Sequence, residues 1–398
     1  MKEKTKQWLY LKDDRIIDVT CGAYIGNQLD ADPIWLLIIG AASTAKTEVL
    51  TAVGKNEGGI VISGFTRSTL VSGHKSKEAP DSSLVNRIKG KVIIVKEFGS
   101  VLSMNSDDQK TVLSQLREVY DGHLYREFGN GKTVSFQGRC GFIGATTPAY
   151  DRHHAVIGSL GDRFLLYRHH NENAEETGLT ALGPQFGKEV TMRKQLNDVY
   201  SAFLKLFRPM PPVDFLDDKT VDSKIVQLAI FCAHGRCAVE RDRYSQAIEY
   251  IPEAEGPPRM AKQLKSLGVG IALAHGKHEI DEDVYSIIRK VGHDLIETRR
   301  IICLKHLWKE QAVEFMEWAN TQEVADAVGI PAASARIILE DLQIVGLLKK
   351  RLKDGKPDDE EDTRGRGRKP YEWQIREEAE GWIKASGVFD ADASDTPF

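Results

Sequence analysis

The chain has few cysteines and no long apolar run, and both shortages exclude whole classes of protein. Its five cysteines form no CxxC pair, so neither a disulfide framework nor a standard zinc site is predicted. The longest apolar stretch, residues 34–39, is far shorter than the roughly 20 residues that a membrane-spanning helix needs. The charged N-terminal segment also lacks the apolar region of a signal peptide. We therefore expect a cytoplasmic protein with no membrane association.

Cysteine and histidine come close together at one place in the sequence. Cys232, His234 and Cys237 lie in one short stretch, but the apolar positions around them repeat at helical spacing. Buried small side chains explain such a pattern more often than a metal site does. We interpret these residues as core positions.

The first half of the chain alternates between short apolar runs and helix-like patterns. Runs of the strand type cover residues 35–39, 92–95 and 140–145. This alternation is typical of a parallel sheet flanked by helices. From about residue 189 to 296 only helical patterns occur. The sequence therefore predicts an α/β core followed by an all-helical domain.

The C-terminal region from residue 300 has a different order of patterns. The helical segments "TQEVADAVG" and "PAASARIILEDL" are followed by two candidate strands, "VGLLKKRL" and "YEWQI". This order is typical of a winged helix-turn-helix. We predict four parts: an α/β core over 1–185, a helical domain over 186–299, a winged helix domain over 300–378 and a disordered acidic tail over 379–398.

The segment "GAASTAKT" follows the first apolar run and carries the groups of a phosphate-binding loop. Such a loop needs backbone N–H groups at a helix N-terminus, a lysine for the β- and γ-phosphates and a hydroxyl for Mg²⁺. The segment departs from the motif only at Ala45, where a second glycine is usual; an ordinary strand-to-helix turn is the alternative. The predicted nucleotide-binding residues are Gly40, Ala41, Ala42, Ser43, Thr44, Ala45, Lys46 and Thr47.

A second candidate element is the apolar strand "KVIIV", which ends at Lys96 and Glu97. Nucleotide hydrolases place acidic residues there, for Mg²⁺ and for the attacking water. Glu97 can orient or deprotonate water, whereas Lys96 cannot coordinate a cation. Either Glu97 serves the metal, or Thr47 and water hold it. A strand end with two solvated charges is the competing interpretation.

A third element is a predicted β-hairpin with Gly129-Asn130-Gly131 as its turn, followed by a strand that ends in Thr146-Thr147. Together with "GSLGDRF", these segments resemble the core of AAA+ ATPases that carry a hairpin before sensor 1, above all the minichromosome maintenance helicases and their relatives in phages and mobile elements. The hairpin region is also similar to that of enhancer-binding transcription activators. The similarity covers roughly residues 30–300 and implies an AAA+ core with a helical lid.

The resemblance implies ATP and Mg²⁺ as cofactors and assigns roles to the residues of the first two elements. Lys46 and Thr47 match the Walker A lysine and hydroxyl. Glu97 matches the catalytic glutamate, and Thr47 and Glu97 are the candidate metal ligands. Lys96 stands where the family has aspartate, which bears on the rate of hydrolysis.

The resemblance also implies three further polar groups around the nucleotide. Thr146 or Thr147 matches sensor 1, which helps to hold the attacking water. Arg163 matches the arginine finger, which reaches the ATP of a neighbouring subunit and implies a ring, most simply a hexamer. Arg259 matches the sensor 2 arginine of the lid. The collar domain of the full-length helicases is not expected before this core.

Two classes of function follow from the sequence. The first is a ring-shaped, ATP-driven DNA helicase or translocase that acts in replication of a phage or mobile element. The residues predicted to contact DNA are Arg126 and Lys132 on the hairpin, Arg336 on the second helix of the helix-turn-helix, and Arg364, Arg366 and Arg368 in the loop "RGRGRK". The second is an ATP-controlled regulator or loader that hydrolyses weakly and recruits a protein partner through the winged helix.

Overall fold

The computed structural model describes residues 1–74, 82–153, 163–170, 173–210, 215–242, 244–313, 318–353 and 371–390. Within these ranges, none of the helices is long and apolar enough to cross a membrane. The chain forms two compact units. The first comprises Met1–Asp218 and Lys262–Val291, and the second comprises Lys219–Ala261 and Gly292–Phe398.

The first unit is an α/β structure. Its strands are β1 (Trp35–Ile39), β2 (Gly59–Ile62), β3 (Val92–Val95), β4 (His123–Glu127), β5 (Thr133–Gln137), β6 (Gly141–Thr146) and β7 (Leu165–Arg168). Its helices are α1 (Lys2–Trp8), α2 (Arg15–Gly26), α3 (Lys46–Gly54), α4 (Gly99–Leu102), α5 (Ser106–Tyr120), α6 (Ala174–Thr180) and α7 (Glu189–Lys205), with most of α9 (Pro258–Ala274) and α10 (Glu282–Asp294).

Five of these strands form one parallel sheet in the order β2-β3-β6-β1-β7. β1, β3, β6 and β7 are buried along their whole length, as expected of parallel strands covered by helices on both faces. Helices α2 and α9 approach closely: a Cβ on Gly270 would lie 2.0 Å from the carbonyl oxygen of Gly22. The predicted α/β class with a parallel sheet is confirmed, and so are the strands expected at 35–39 and 92–95.

The remaining two strands of this unit, β4 and β5, pair as an antiparallel hairpin. Its connection closes where the N–H of Phe128 donates to the Lys132 carbonyl and that of Gly131 to the Phe128 carbonyl, both at 2.9 Å. Gly131 has a φ of +74°, a conformation that favours glycine. The turn therefore forms where the Gly-Asn-Gly signal predicts it.

The second unit contains α8 (Lys219–Gly235), α11 (Thr298–Trp308), α12 (Thr321–Val328), α13 (Ala332–Ile344) and α14 (Glu377–Ser386). Its strands β8 (Ala319–Asn320), β9 (Leu348–Leu352) and β10 (Tyr371–Ile375) form an antiparallel sheet in the order β8-β10-β9. A capping box begins α12, because Asn320 and Glu323 exchange side-chain-to-backbone hydrogen bonds. Gly329, at φ +69°, ends α12 before the turn to α13.

The structure corrects the expectation of a disordered tail from residue 379. Helix α14 continues to Ser386 and buries Ala379, Ile383 and Ser386. These positions recur at helical spacing, so burial of one face orders a segment whose other residues are charged. Beyond α14, the ring of Phe389 packs edge-on against that of Phe231 on α8, with the ring centres 5.8 Å apart. Residues 391–398 of the predicted tail lie outside the described residues.

Candidate functional site

The segment between β1 and α3 is a tight loop at the carboxyl edge of the parallel sheet. Ser43 and Ala45 both have left-handed backbone conformations, with φ of +62° and +63°. Gly40 lies so close to the strand end of β7 that an added Cβ would be 2.7 Å from the carbonyl oxygen of His169. The loop thus turns sharply and delivers Lys46 as the first residue of α3.

Lys46 is almost completely buried against this loop. The residue is only 7% exposed. Its Nζ donates to the Gly40 carbonyl at 2.8 Å, to the Ala41 carbonyl and to the Thr44 hydroxyl at 3.1 Å. Within the described chain, no carboxylate forms an ion pair with it. Burial lowers the pKa of Lys46, and the negative charge of Glu97 opposes that shift. The loop therefore holds an ammonium group that lacks a paired anion.

The neighbouring strands bring Glu97 and Thr146 to the same edge. The Gly40 N–H donates to the Thr146 carbonyl at 3.2 Å, and the Phe98 N–H donates to the Ala145 carbonyl at 2.7 Å. One carboxylate oxygen of Glu97, Oε1, accepts from the Gly99 N–H at 2.9 Å. The side chain of Glu97 is otherwise exposed.

Thr146 carries a buried hydroxyl at this edge. The residue is 1% exposed, and its Oγ1 makes no hydrogen bond within the described chain. A Cβ built on Gly99 would lie 2.4 Å from Oε1 of Glu97 and 3.8 Å from Oγ1 of Thr146, so both polar groups flank one glycine. Thr147 is half-buried and follows in sequence. Of the two threonines, Thr146 is the one whose hydroxyl is buried without a hydrogen bond to the residues that the structure describes.

His169 is a buried polar residue of this edge that the sequence analysis missed. It follows β7, is 2% exposed, and its N–H donates to the Ile39 carbonyl at 2.7 Å. Neither ring nitrogen makes a hydrogen bond of ordinary geometry, although the Thr44 backbone approaches the ring. Burial lowers the pKa of His169 to about 4, so the imidazole is neutral at pH 7. A histidine pair after an apolar strand gives no sequence signal that His169 is buried.

Arg163 lies at the amino ends of the parallel strands, whereas the loop lies at their carboxyl ends. It precedes β7, whose Leu165 pairs with Leu36 near the start of β1, whereas the loop begins after Ile39. The four residue steps from Leu36 to Gly40 rise about 13 Å, so Arg163 is remote from the loop of its own chain. Its guanidinium pairs with Asp121 at 3.1 Å.

Arg259 and Arg336 belong to the second unit and pair with nearby glutamates. Arg259 makes an ion pair with Glu255, and Nε of Arg336 donates to Glu340 at 2.8 Å. The third predicted group in this region, Arg364, Arg366 and Arg368, lies outside the described residues.

The two hairpin cations predicted to contact DNA are engaged within the first unit. Arg126 makes a bidentate ion pair with Glu118 of α5, in which Nη2 donates to Oε1 at 2.7 Å and Nη1 to Oε2 at 2.9 Å. Lys132 donates through Nζ to the Ser72 carbonyl at 2.6 Å and the His74 carbonyl at 2.9 Å. The hairpin is thus anchored to α5 and to the segment that precedes residue 75.

Over the described residues, no group of three or more histidine, cysteine, aspartate or glutamate side chains could hold a metal ion. Of the three residues near position 232 that were interpreted as core, Cys232 is buried and donates to the Gly292 carbonyl. His234 and Cys237 are half-buried, and the imidazole of His234 contacts the Val345 carbonyl. At the loop, the metal ligands predicted from the sequence are the exposed Thr47 and the single carboxylate of Glu97.

A comparison with models of protein families finds no match to this chain, and a comparison with curated proteins finds none either.

Proposed function

We propose that the chain is an AAA+ ATPase that works as a ring, most simply a hexamer, and couples ATP hydrolysis to movement on DNA. In this proposal residues 186–299 provide the lid and residues 300–378 a winged helix domain. DNA replication in a phage or mobile element is the process that the sequence resemblance favours. The proposal rests on the resemblance together with the chemistry of the loop.

One observation carries the proposal: a nearly buried ammonium, without an ion-pair partner in the described chain, sits at the N-terminus of a helix that follows a parallel strand. Among the described residues, the Lys46 ammonium donates to carbonyl and hydroxyl oxygens and to no carboxylate. A buried cation is costly unless an anion compensates for it. The dipole of α3 adds positive potential at the same point. A polyphosphate satisfies both requirements.

The residues present also fit Mg²⁺ carried on such a polyphosphate. Mg²⁺ keeps several waters and takes only one or two protein ligands beside substrate phosphates. Thr47 supplies a hydroxyl and Glu97 a carboxylate, which is too few for a metal site without nucleotide. When bound, the metal would neutralise charge on the phosphate oxygens. Lys46 would leave the loop carbonyls and contact those oxygens.

Glu97 and Thr146 are suited to control the attacking water. Glu97 is held in one orientation by the Gly99 N–H, which leaves its other oxygen for water. The buried Oγ1 of Thr146 makes no hydrogen bond to the described residues and lies near the same glycine. A buried hydroxyl without a hydrogen bond costs free energy, and an ordered water would remove that cost. Together they support a water site beside the γ-phosphate.

Lys96 favours a second candidate, an ATP-controlled regulator or loader that hydrolyses weakly. It is half-buried at the end of β3 and adds a cation where the resembling ATPases have a metal-binding carboxylate. An ammonium can help to hold ATP, but it cannot hold Mg²⁺. Tight binding without turnover would then drive assembly and recruitment of a protein partner through the winged helix domain.

Replacing Lys46 tests both candidates. We expect Lys46→Ala to weaken ATP binding by about 10- to 150-fold, because a hydrogen bond to a charged group contributes about 1.5–3 kcal/mol. Calorimetric titration measures this, with circular dichroism to verify folding. Lys55→Ala removes an exposed lysine at the other end of α3 and should leave the affinity unchanged.

The same preparation separates the two candidates. Stimulation of phosphate release by DNA supports the motor, and ATP binding with no turnover in the presence of DNA supports the regulator. Equal ATP affinity for Lys46→Ala and the unsubstituted protein would contradict both.

A further inference from the structure

The small antiparallel sheet of the second unit carries cations stacked on aromatic rings. Trp318 directly precedes β8, and the register places it on the same face of the sheet as Lys349 and Arg351 of β9. Cζ of Arg351 lies 4.2 Å from the centre of the Trp318 ring, and Nζ of Lys349 lies 5.7 Å from it. All three side chains are partly exposed. We call these three residues the Trp318 face.

The other face of β9 has a similar arrangement around Tyr371, which pairs with Leu352 at the other end of the ladder from Trp318. Nζ of Lys350 lies 4.7 Å from the centre of the Tyr371 ring, and Cζ of Arg336, from α13, lies 5.4 Å from it. Trp373 on the same face is buried and belongs to the core. The Trp318 face is therefore the one directed away from the core.

The Trp318 face carries two cations, and one carboxylate, Glu372, lies beside them on the same face of the sheet. Arg351 pairs with Glu372 at 2.8 Å, and both are partly exposed. Lys349 contacts no carboxylate among the residues that the structure describes, so its charge is left for a partner. An anionic polymer complements such a face, whereas a neutral apolar surface does not.

We infer that the Trp318 face binds single-stranded DNA, with Lys349 and Arg351 on successive phosphates and Trp318 against a base. This rests on the proposal that the chain acts on DNA, but it names a surface that the sequence analysis did not assign.

The geometry favours an extended single strand. Residues two apart on one strand are about 7 Å apart, a spacing that neighbouring phosphates of an extended chain can match. The indole ring already holds both cations in place, which reduces the side-chain entropy lost on binding. Aromatic rings beside cations are the usual means of binding single strands without sequence preference, because every base has a face that stacks.

The test measures binding of a labelled oligo-deoxythymidine by fluorescence anisotropy at several salt concentrations, in EDTA so that hydrolysis plays no part. In the variant Lys349→Gln/Arg351→Gln both charges are lost while much of each stem remains over Trp318. We expect weaker binding at every salt concentration. The slope of log K against log salt should fall by at least about 0.7, because each phosphate contact on a single strand contributes about 0.7 and Lys349 has no carboxylate partner among the described residues; Arg351 adds a second contact to the extent that it exchanges Glu372 for a phosphate.

A matched control removes two lysines of the same unit, Lys224→Gln/Lys384→Gln, and should leave the slope unchanged. An unaltered slope and affinity in the first variant, with native circular dichroism, would overturn the inference while the proposed function stands. Binding of duplex DNA but not of the single strand by the unsubstituted protein would do the same. Absence of binding to either DNA would contradict both the inference and the motor function.

Discussion

Ala45 occupies a backbone position that suits glycine. Its φ of +63° is left-handed, which costs an L-residue about 1–2 kcal/mol. We predict that Ala45→Gly raises the free energy of unfolding of the first unit by about 0.5–1 kcal/mol, because relief of this strain exceeds the extra entropy of glycine in the unfolded chain. Urea denaturation measures the change.

Ala42→Gly is the matched control in the same loop, since Ala42 has no positive φ. There the substitution only adds chain entropy and should lower stability by about 0.5–1 kcal/mol. If both variants shifted stability in the same direction, backbone strain at Ala45 would not be the cause.

The sequence predicts the charged groups of the loop better than it predicts the environment around them. Lys46 and Thr47 are evident because local spacing alone marks a strand, a turn and a helix start. The reason for the close approach at Gly40 is not evident, since it depends on His169, which arrives from β7. A contact between strands distant in sequence arises only when the sheet has formed.

At the scale of elements, the sequence likewise predicts the backbone of the hairpin but not the contacts of its side chains. Its strands and turn follow from alternation and from Gly-Asn-Gly, and both are confirmed. The partners of its cations come from elsewhere: Glu118 from α5 and two carbonyls from residues 72–74. Helix α14 was not predicted, although its buried positions recur at helical spacing, because the helix that covers them, α8, comes from far earlier in the chain.

The ion pair between Arg126 and Glu118 leads to a testable prediction about DNA binding by the hairpin. Glu118→Gln removes the carboxylate that holds the guanidinium, so Arg126 becomes available to phosphates. We expect higher DNA affinity and a salt slope steeper by about 0.7–0.9, the equivalent of one added contact. Filter binding at several salt concentrations measures both.

Glu127→Gln removes one negative charge from the exposed end of β4 without releasing Arg126, and therefore controls for net charge. Equal effects of the two substitutions would mean that general electrostatics, and not the released arginine, raises the affinity. No effect of either would argue against DNA contact by this hairpin.

At the scale of the whole molecule, Arg163 decides whether the site is complete in one chain. Along the strand direction, Arg163 lies about 13 Å or more from the loop, and it forms its ion pair with Asp121 at the amino ends of the strands. If the loop hydrolyses ATP as proposed, an arginine in that place is too remote to assist at the loop of its own subunit, whereas it would reach a neighbour's loop in the proposed head-to-tail ring. Assembly would then be a condition for activity.

We predict that Arg163→Ala loses about 10³- to 10⁵-fold of the ATPase rate, the usual contribution of an arginine finger, while each subunit keeps its own ATP affinity. Arg139→Ala removes another partly exposed arginine from the amino ends of the strands, and it should leave both the ATPase rate and the ATP affinity unchanged. Mixing Arg163→Ala with Lys46→Ala subunits should restore part of the turnover, because some interfaces in a mixed ring pair an intact loop with an intact arginine. Rings shown by native mass spectrometry to contain both subunits, yet with no recovered turnover, would mean that Arg163 serves only its ion pair with Asp121.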